Sequence, residues 1–166
     1  MKATMDLFGS NESSAVISPD GLYRYSLQRK WGESGRRITF IGLNPSTADL
    51  TTDDPTIRRC IGFAKAWGGT SLSMVNLFAL RSTNPKALFL APDPIGPEND
   101  EWLERVMCSS DLIVAAWGNH GSFLNRASEI VDRFADRLHA LAITGQGEPG
   151  HPLYIRSDTI PFKLLR

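Results

Sequence analysis

The 166-residue sequence predicts a three-layer α/β/α sandwich with a mostly parallel central sheet of about four strands and an N-terminal β-hairpin. Four continuous apolar runs of strand length alternate with segments that carry apolar residues at helical spacing. Such runs are typical of parallel strands that helices cover on both faces. Because the length suits a single core, we expect a flexible N-terminus at 1–14 and a single α/β domain at 15–166.

The N-terminal part of the chain predicts the hairpin. Apolar residues 15–18 form its first arm, Pro19-Asp20-Gly21 supplies the turn, and apolar and polar residues alternate along its second arm, 22–27. A further turn leads into the first apolar strand, 38–43, which ends at a glycine and a cluster of small polar residues. This arrangement is expected of a buried strand that ends in a loop at a functional site.

Capping residues and periodic apolar residues predict the helices. Asp54 can cap a helix that has Pro55 at its first position and ends at Gly68-Gly69. The further helical segments are a short turn at 86–90 within the proline-rich loop 85–97, a helix at 98–108, and a helix that Ser122 caps and whose apolar positions extend to Leu138. The remaining apolar strands are 72–78, 112–117 and 140–144.

Composition excludes several classes of protein. No apolar run approaches the roughly 20 residues that cross a bilayer, and no basic segment with an apolar h-region begins the chain, so we expect a cytoplasmic protein with no membrane partner. Cys60 and Cys108 are too few for a disulfide framework or an all-cysteine metal site. Neither a zinc-type spacing nor a glycine-rich phosphate loop occurs in the sequence, so we predict no metal site and no cofactor.

Charge is balanced over the chain but unevenly distributed. Basic and acidic residues number 18 each, yet ten Lys or Arg and only four Asp or Glu lie within 21–86. Such an excess can mark a face that binds phosphate or nucleic acid, and it can equally be solvated surface.

Polar residues follow each apolar strand, and in a parallel sheet these strand ends lie along one edge. We therefore predict one cleft formed by residues from all four strand ends. The candidates are Gly42, Leu43, Asn44, Pro45 and Ser46 after the first strand, Asn76 and Arg81 at the second, Trp117, Gly118 and Asn119 at the third, and His151 with Pro152 after the fourth. Asn44 is central, because Pro45 holds it in an extended conformation next to Gly42, which permits close backbone approach.

Other residues have two interpretations. Asp49 and Asp54 could be a carboxylate pair that acts as a general base or binds a metal, although capping alone explains Asp54. Trp117 could be core, and His120 could belong to a turn. Arg58 and Arg59 could face a phosphate or solvent. His139 and Cys60 are predicted to be structural.

The same motifs resemble the domain-of-unknown-function family 1643 over roughly residues 15–155. The residues that carry the resemblance are Arg24-Tyr25, the GLNPSTAD sequence at 42–49, Asp54-Pro55-Thr56, Asn76-Leu77-Phe78, Trp117-Gly118 and His151-Pro152-Leu153-Tyr154. Shorter motifs in the same order resemble the uracil-DNA glycosylase superfamily, whose members carry a strand ending in G-x-N-P or G-x-D-P and a later H-P-S motif. The resemblance implies a glycosylase-like fold and a nucleobase, nucleotide or nucleic acid as partner.

The glycosylase resemblance also implies roles for three residues. Asn44 would position a water for attack at the anomeric carbon of a sugar, and His151 would stabilise negative charge on the departing base. Asn76 would read the edge of the base through its donor and acceptor. The chain departs from the pattern in having Leu153 where a serine commonly follows H-P, and in lacking the four cysteines of the iron–sulfur branch.

Three functions are therefore compatible with the sequence. The first is recognition of a nucleobase or nucleotide with hydrolysis of an N-glycosidic bond. The second is a non-catalytic nucleotide or nucleic-acid binding module that uses the same cleft. The third is a carboxylate- or metal-dependent hydrolase that uses Asp49 and Asp54.

Overall fold

The structure, a computed structural model, describes residues 2–5 and 11–165. Its strands are β1 (Lys2–Met5), β2 (Glu12–Ile17), β3 (Arg24–Lys30), β4 (Arg36–Gly42), β5 (Gly69–Asn76), β6 (Leu112–Ala115), β7 (Leu138–Ala140) and β8 (Phe162–Lys163). Its α-helices are α1 (Pro55–Ala66), α2 (Lys86–Leu90), α3 (Asn99–Cys108) and α4 (Arg126–Phe134). Short 3-10 segments cover Asn119–Asn125, Ala135–Arg137 and Pro152–Tyr154.

The described strands form one mixed sheet of eight strands in the order β1-β2-β3-β5-β4-β6-β7-β8. The central strands β5, β4, β6 and β7 are parallel, whereas β1 to β3 at one edge and β8 at the other pair antiparallel. The prediction of about four strands is therefore wrong for the sheet as a whole. One reason is that the predicted hairpin joins the sheet, since β3 pairs with β5. The other is that β1 and β8, which the sequence patterns did not predict, add a strand at each edge.

Helices cover both faces of the sheet, which confirms the α/β class. Alternate residues of β4 point to opposite faces, so that Phe40 packs in one core and Ile41 in the other. The first core is closed by α1, and the second by α2, α3 and α4. Since both faces of the central strands are buried, these strands read as continuous apolar runs in the sequence.

The first helix begins and ends as its sequence predicts. Asp54 Oδ1 accepts a hydrogen bond from the backbone N–H of Ile57 at 2.9 Å, and Pro55 occupies the first helical position. Gly68 follows the helix with a positive φ of 75°, which favours glycine because it has no Cβ. The helix thus presents its first turn to the end of β4.

The last predicted helix and strand are misplaced in the sequence analysis. Leu124 and Asn125 have positive φ angles of 53° and 58°, so α4 begins only at Arg126 and Ser122 does not cap it. The helix also ends before Leu138, which is fully buried in β7 opposite Ile113. Periodicity could not separate these alternatives, because an apolar residue suits either a helix stripe or a buried strand.

The N-terminal segment predicted to be flexible contributes to the sheet. Lys2–Met5 pairs with β2, and β2 itself starts at Glu12 rather than at 15. Residues 1 and 6–10, which the prediction also covers, lie outside the described residues. Within the described part of the chain, none of the helices has the length and apolar character to cross a bilayer.

Candidate functional site

A cavity of about 480 Å³ lies where the parallel strands β4, β5 and β6 end. Asn44, which follows β4, and His151, which lies in a distant loop of the sequence, both line it. Thr56 and Ile57 bring the first turn of α1 to the same space. The volume falls in the range of small-molecule sites, and the position is the one at which open α/β sheets bind ligands.

Most of the predicted site residues line this cavity. They are Gly42, Leu43, Asn44, Pro45, Ser46, Asp54, Asn76, Trp117, Gly118, Asn119 and His151. Asp49, Arg81 and Pro152 do not. Asp49 Oδ1 accepts hydrogen bonds from the backbone N–H groups of Thr51 and Thr52, Arg81 donates to Gly21 O at 3.4 Å, and Pro152 is buried in a 3-10 turn.

Asn44 uses its amide nitrogen to hold the loop after β5. Its Nδ2 lies within hydrogen-bond distance of three backbone oxygens, those of Pro45 (3.1 Å), Leu80 (3.3 Å) and Ser82 (2.9 Å). Its Oδ1 accepts no hydrogen bond from the described residues. Only this oxygen of the side chain is thus left to orient a water or a ligand in the cavity.

Asn76 presents an amide without partners. The residue is 1% exposed, and neither its Nδ2 nor its Oδ1 has a hydrogen-bond partner among the described residues. A Cβ at Gly42 would lie 2.8 Å from this Oδ1, so that glycine leaves the space that the amide occupies. Because an unpaired buried donor or acceptor costs about 1–3 kcal/mol, such a side chain at a cavity wall indicates a ligand contact.

A network behind β5 fixes the strand end that carries Asn76. Asn99 Nδ2 donates to the backbone oxygens of Asn76 and Leu77, at 3.0 Å each. Arg126 Nε donates to Leu77 O at 2.9 Å, and its guanidinium forms ion pairs with Asp100 and Glu129. Asn99 and Arg126 thus fix the backbone at the end of β5, and the side-chain amide of Asn76 makes none of these hydrogen bonds.

His151 is oriented by its own turn. Its Nδ1 accepts a hydrogen bond from the backbone N–H of Leu153 at 3.3 Å, which places the proton of the neutral ring on Nε2. Burial lowers the pKa of the imidazole below its ordinary value, and the carboxylate of Asp54 only partly opposes this shift. Gly118 N donates to Pro149 O at 2.8 Å, and Arg59 donates to Ile155 O, so both sides of the loop are anchored.

The lowered pKa of His151 predicts a loss of stability in acid. The unfolded chain takes up this proton at a higher pH than the folded chain, so the stability contribution present above pH ~6.5 falls as the pH drops below it. In His151→Asn the amide oxygen can still accept from Leu153, but it does not titrate. We expect the free energy of unfolding of the wild type to fall relative to this variant between about pH 7 and pH 5. Parallel pH profiles of the two proteins, measured by urea unfolding, would contradict this.

Arg24 and Asp54 form the charged part of the cavity lining. Asp54 is buried, and its Oδ2 accepts a hydrogen bond from Ser46 Oγ at 2.9 Å. Arg24 is 2% exposed and donates to Ala48 O at 2.8 Å. Arg24 was not predicted as a site residue, because it lies at a polar position of the alternating hairpin arm. Its place in the family resemblance was the one available signal.

Aromatic side chains lie at the wall and at the rim of the cavity. Trp117 is 2% exposed, and its Nε1 donates to Glu148 Oε2 at 2.7 Å, so the residue belongs to both the core and the cavity. Tyr154 is 87% exposed at the rim, with its ring centroid 5.8 Å from that of His151. Sequence analysis did not assign Tyr154 to the site. His120 is exposed at the same cavity and packs against Phe89.

The carboxylates do not assemble into a metal-binding group. Asp54 lines the cavity, whereas Asp49 caps its own turn. Across residues 2–5 and 11–165 there is no cluster of three or more His, Cys, Asp or Glu side chains that could hold a metal ion. The cavity therefore combines amides, two imidazoles, a guanidinium and one hydrogen-bonded carboxylate.

The fold and the cavity define an α/β protein with a polar pocket at the carboxyl edge of its parallel strands. The chain belongs to the family described as protein of unknown function (DUF1643), which matches residues 24–153. Comparisons with curated proteins and with solved structures gave no match. The family is thus established, and the relationship to the uracil-DNA glycosylases stays a prediction.

Proposed function

We propose that the cavity recognises the base of a nucleotide or nucleic acid and hydrolyses its N-glycosidic bond. The observation that carries the proposal is the buried amide of Asn76, whose donor and acceptor are both unpaired at the wall of the cavity that His151 also lines. An amide offers a donor and an acceptor side by side, as does the edge of a nucleobase.

The surroundings of Asn76 support a planar heterocyclic ligand. His151 would donate from Nε2 to a base carbonyl, and this contact would strengthen as negative charge develops on the leaving base. Tyr154, which is exposed at the rim, would offer an aromatic face to the ring. A glycosylase-like fold is consistent with four central parallel strands that helices cover on both faces.

The hydrolytic step needs a water near the anomeric carbon. In the proposed arrangement Asn44 Oδ1 accepts a hydrogen bond from this water, since the amide nitrogen is already committed to backbone oxygens. The water attacks the anomeric carbon as the bond to the base nitrogen breaks, the base leaves with the electron pair of that bond, and the proton that the water loses is transferred to the base through solvent. The products are the free base and the sugar with a hydroxyl at its anomeric carbon.

A second candidate, a non-catalytic binding module, is favoured by one observation. Both oxygens of Asp54 accept hydrogen bonds from the protein, from Ile57 N and Ser46 Oγ, and Asn44 has a structural role. A strong general base free of protein contacts is thus missing from the described cavity lining. This alternative predicts binding without turnover.

Release of base tests the proposal. Nucleosides, nucleotides and oligonucleotides that carry uracil or altered bases are incubated with the protein, and the free base is measured by chromatography. We expect Asn44→Ala to lower the release rate by about a hundredfold, because the water loses the Oδ1 that orients it. Circular dichroism must show that this variant remains folded, since Nδ2 holds three backbone oxygens.

The outcomes separate the two candidates. If the protein binds a base in a way that depends on Asn76 but releases none, the binding module is the correct function and hydrolysis is refuted. Neither release nor binding of any base-containing compound would overturn the proposed function.

A further inference from the structure

Arg24 carries a buried positive charge that no ion pair among the described residues neutralises. The side chain lines the cavity at 2% exposure, and no carboxylate of the described residues lies within ion-pair distance of it. Its Nη1 donates to Ala48 O at 2.8 Å, whereas its Nε is buried without a partner. A buried charge is normally paired, so this arrangement indicates that the partner comes from outside the chain.

The neighbouring charges leave Arg24 cationic. Burial lowers the pKa of the guanidinium to about 10, so it stays protonated at neutral pH. Asp54 is the main opposite charge, but both of its oxygens are held by Ser46 and Ile57. Arg81 adds positive potential at Arg24, as does Arg29, which itself pairs with Asp53 at 3.0 Å.

One further group of the cavity suits an anion. Thr56 lies in the first turn of α1, whereas the Ser46 hydroxyl already donates to Asp54 Oδ2. The first N–H groups of a helix lack intrahelical partners and favour negative charge. Arg24 and Thr56 line the same cavity as Asn76 and His151, so a molecule within it can reach both pairs of residues.

We propose that Arg24 binds the terminal phosphate of a mononucleotide whose base lies against Asn76, an inference that rests on the proposed base recognition. The protein can enclose a terminal phosphate. A phosphodiester within DNA or RNA is bonded to nucleotides on both sides, so the site must stay open for both to leave. The burial of Arg24 therefore favours a free nucleoside monophosphate over DNA or RNA.

Calorimetric titration with matched ligands tests this inference. The ligands are nucleosides, the corresponding nucleoside 5′-monophosphates, a short single-stranded oligonucleotide and inorganic phosphate. We expect the monophosphate of the preferred base to bind more tightly than its nucleoside. Arg24→Met should lower the affinity for the monophosphate about tenfold to hundredfold. The affinity for the nucleoside should stay unchanged, because only the phosphate contact is lost.

Two variants serve as controls. Arg24→Lys keeps a charge and should retain part of the preference for the monophosphate. Arg58→Met removes an exposed arginine of α1 that does not line the cavity and should behave as the wild type. If Arg24→Met does not fold, two measurements still test the phosphate contact. They are the affinities of Arg24→Lys and the ratio of the wild-type affinities for the nucleoside and its monophosphate.

The outcomes distinguish this inference from the proposed function. Equal affinity for nucleoside and monophosphate, or tighter binding of the oligonucleotide, would overturn the mononucleotide assignment while base recognition stands. Binding of inorganic phosphate that Arg24→Met removes, without binding of any base-containing ligand, would support the anion contact and refute the base site.

Discussion

Replacement of Asn76 by alanine is expected to abolish most ligand affinity without lowering the stability of the protein. The amide has no hydrogen-bond partner among the described residues, so its removal relieves a buried unpaired donor and acceptor. Two hydrogen bonds to a bound base would be lost, for which we expect a decrease in affinity of about a hundredfold or more. Calorimetric titration with the preferred ligand and urea unfolding measure the two quantities on the same preparation.

Asn99→Ala is the matched control for this prediction. Asn99 is also a fully buried asparagine with an unpaired Oδ1, but its Nδ2 donates to the backbone oxygens of Asn76 and Leu77. Its replacement removes both hydrogen bonds and should lower the free energy of unfolding by about 1–3 kcal/mol. A larger loss of stability in Asn76→Ala than in Asn99→Ala would show that the Asn76 amide is structural, and would contradict the assigned role.

Replacement of Trp117 by alanine is expected to cause the largest loss of stability. The indole is 2% exposed, packs in the core below the strand end and donates to Glu148. Truncation of a buried aromatic side chain costs about 3–5 kcal/mol, because apolar surface is lost and a cavity remains. Denaturant unfolding followed by circular dichroism measures this cost, which fluorescence would report less directly, since the chain contains 4 tryptophans.

Two variants test whether this effect is specific to the site. Trp117→Phe keeps most of the apolar volume but cannot donate to Glu148, so we expect a loss of only about 1–2 kcal/mol. Trp102→Ala removes a half-buried indole that packs against the Arg105 guanidinium on α3, and it should cost less than Trp117→Ala. Similar costs for Trp117→Ala and Trp102→Ala would contradict a core role for Trp117.

Several elements of the fold were predictable because their signals are local. Asp54, Pro55 and Gly68 mark the ends of α1 through cap chemistry that depends on neighbouring residues alone. The continuous apolar run of β4 follows from burial on both faces. The start of α4 and its boundary with β7 were not predictable, since the turn at Leu124 and the pairing of Leu138 depend on distant parts of the chain.

The order of apolar strands and polar strand ends is enough to predict that polar residues meet at one edge of a sheet, because parallel strands end together. It does not show which of these side chains face the cavity unpaired. Asn44 gives its amide nitrogen to the loop after β5 and Asp49 caps its own turn, whereas Asn76 and Arg24 keep buried polar atoms without partners among the described residues. Hydrogen-bond partners come from segments far apart in the chain, so these differences arise only when the chain has folded.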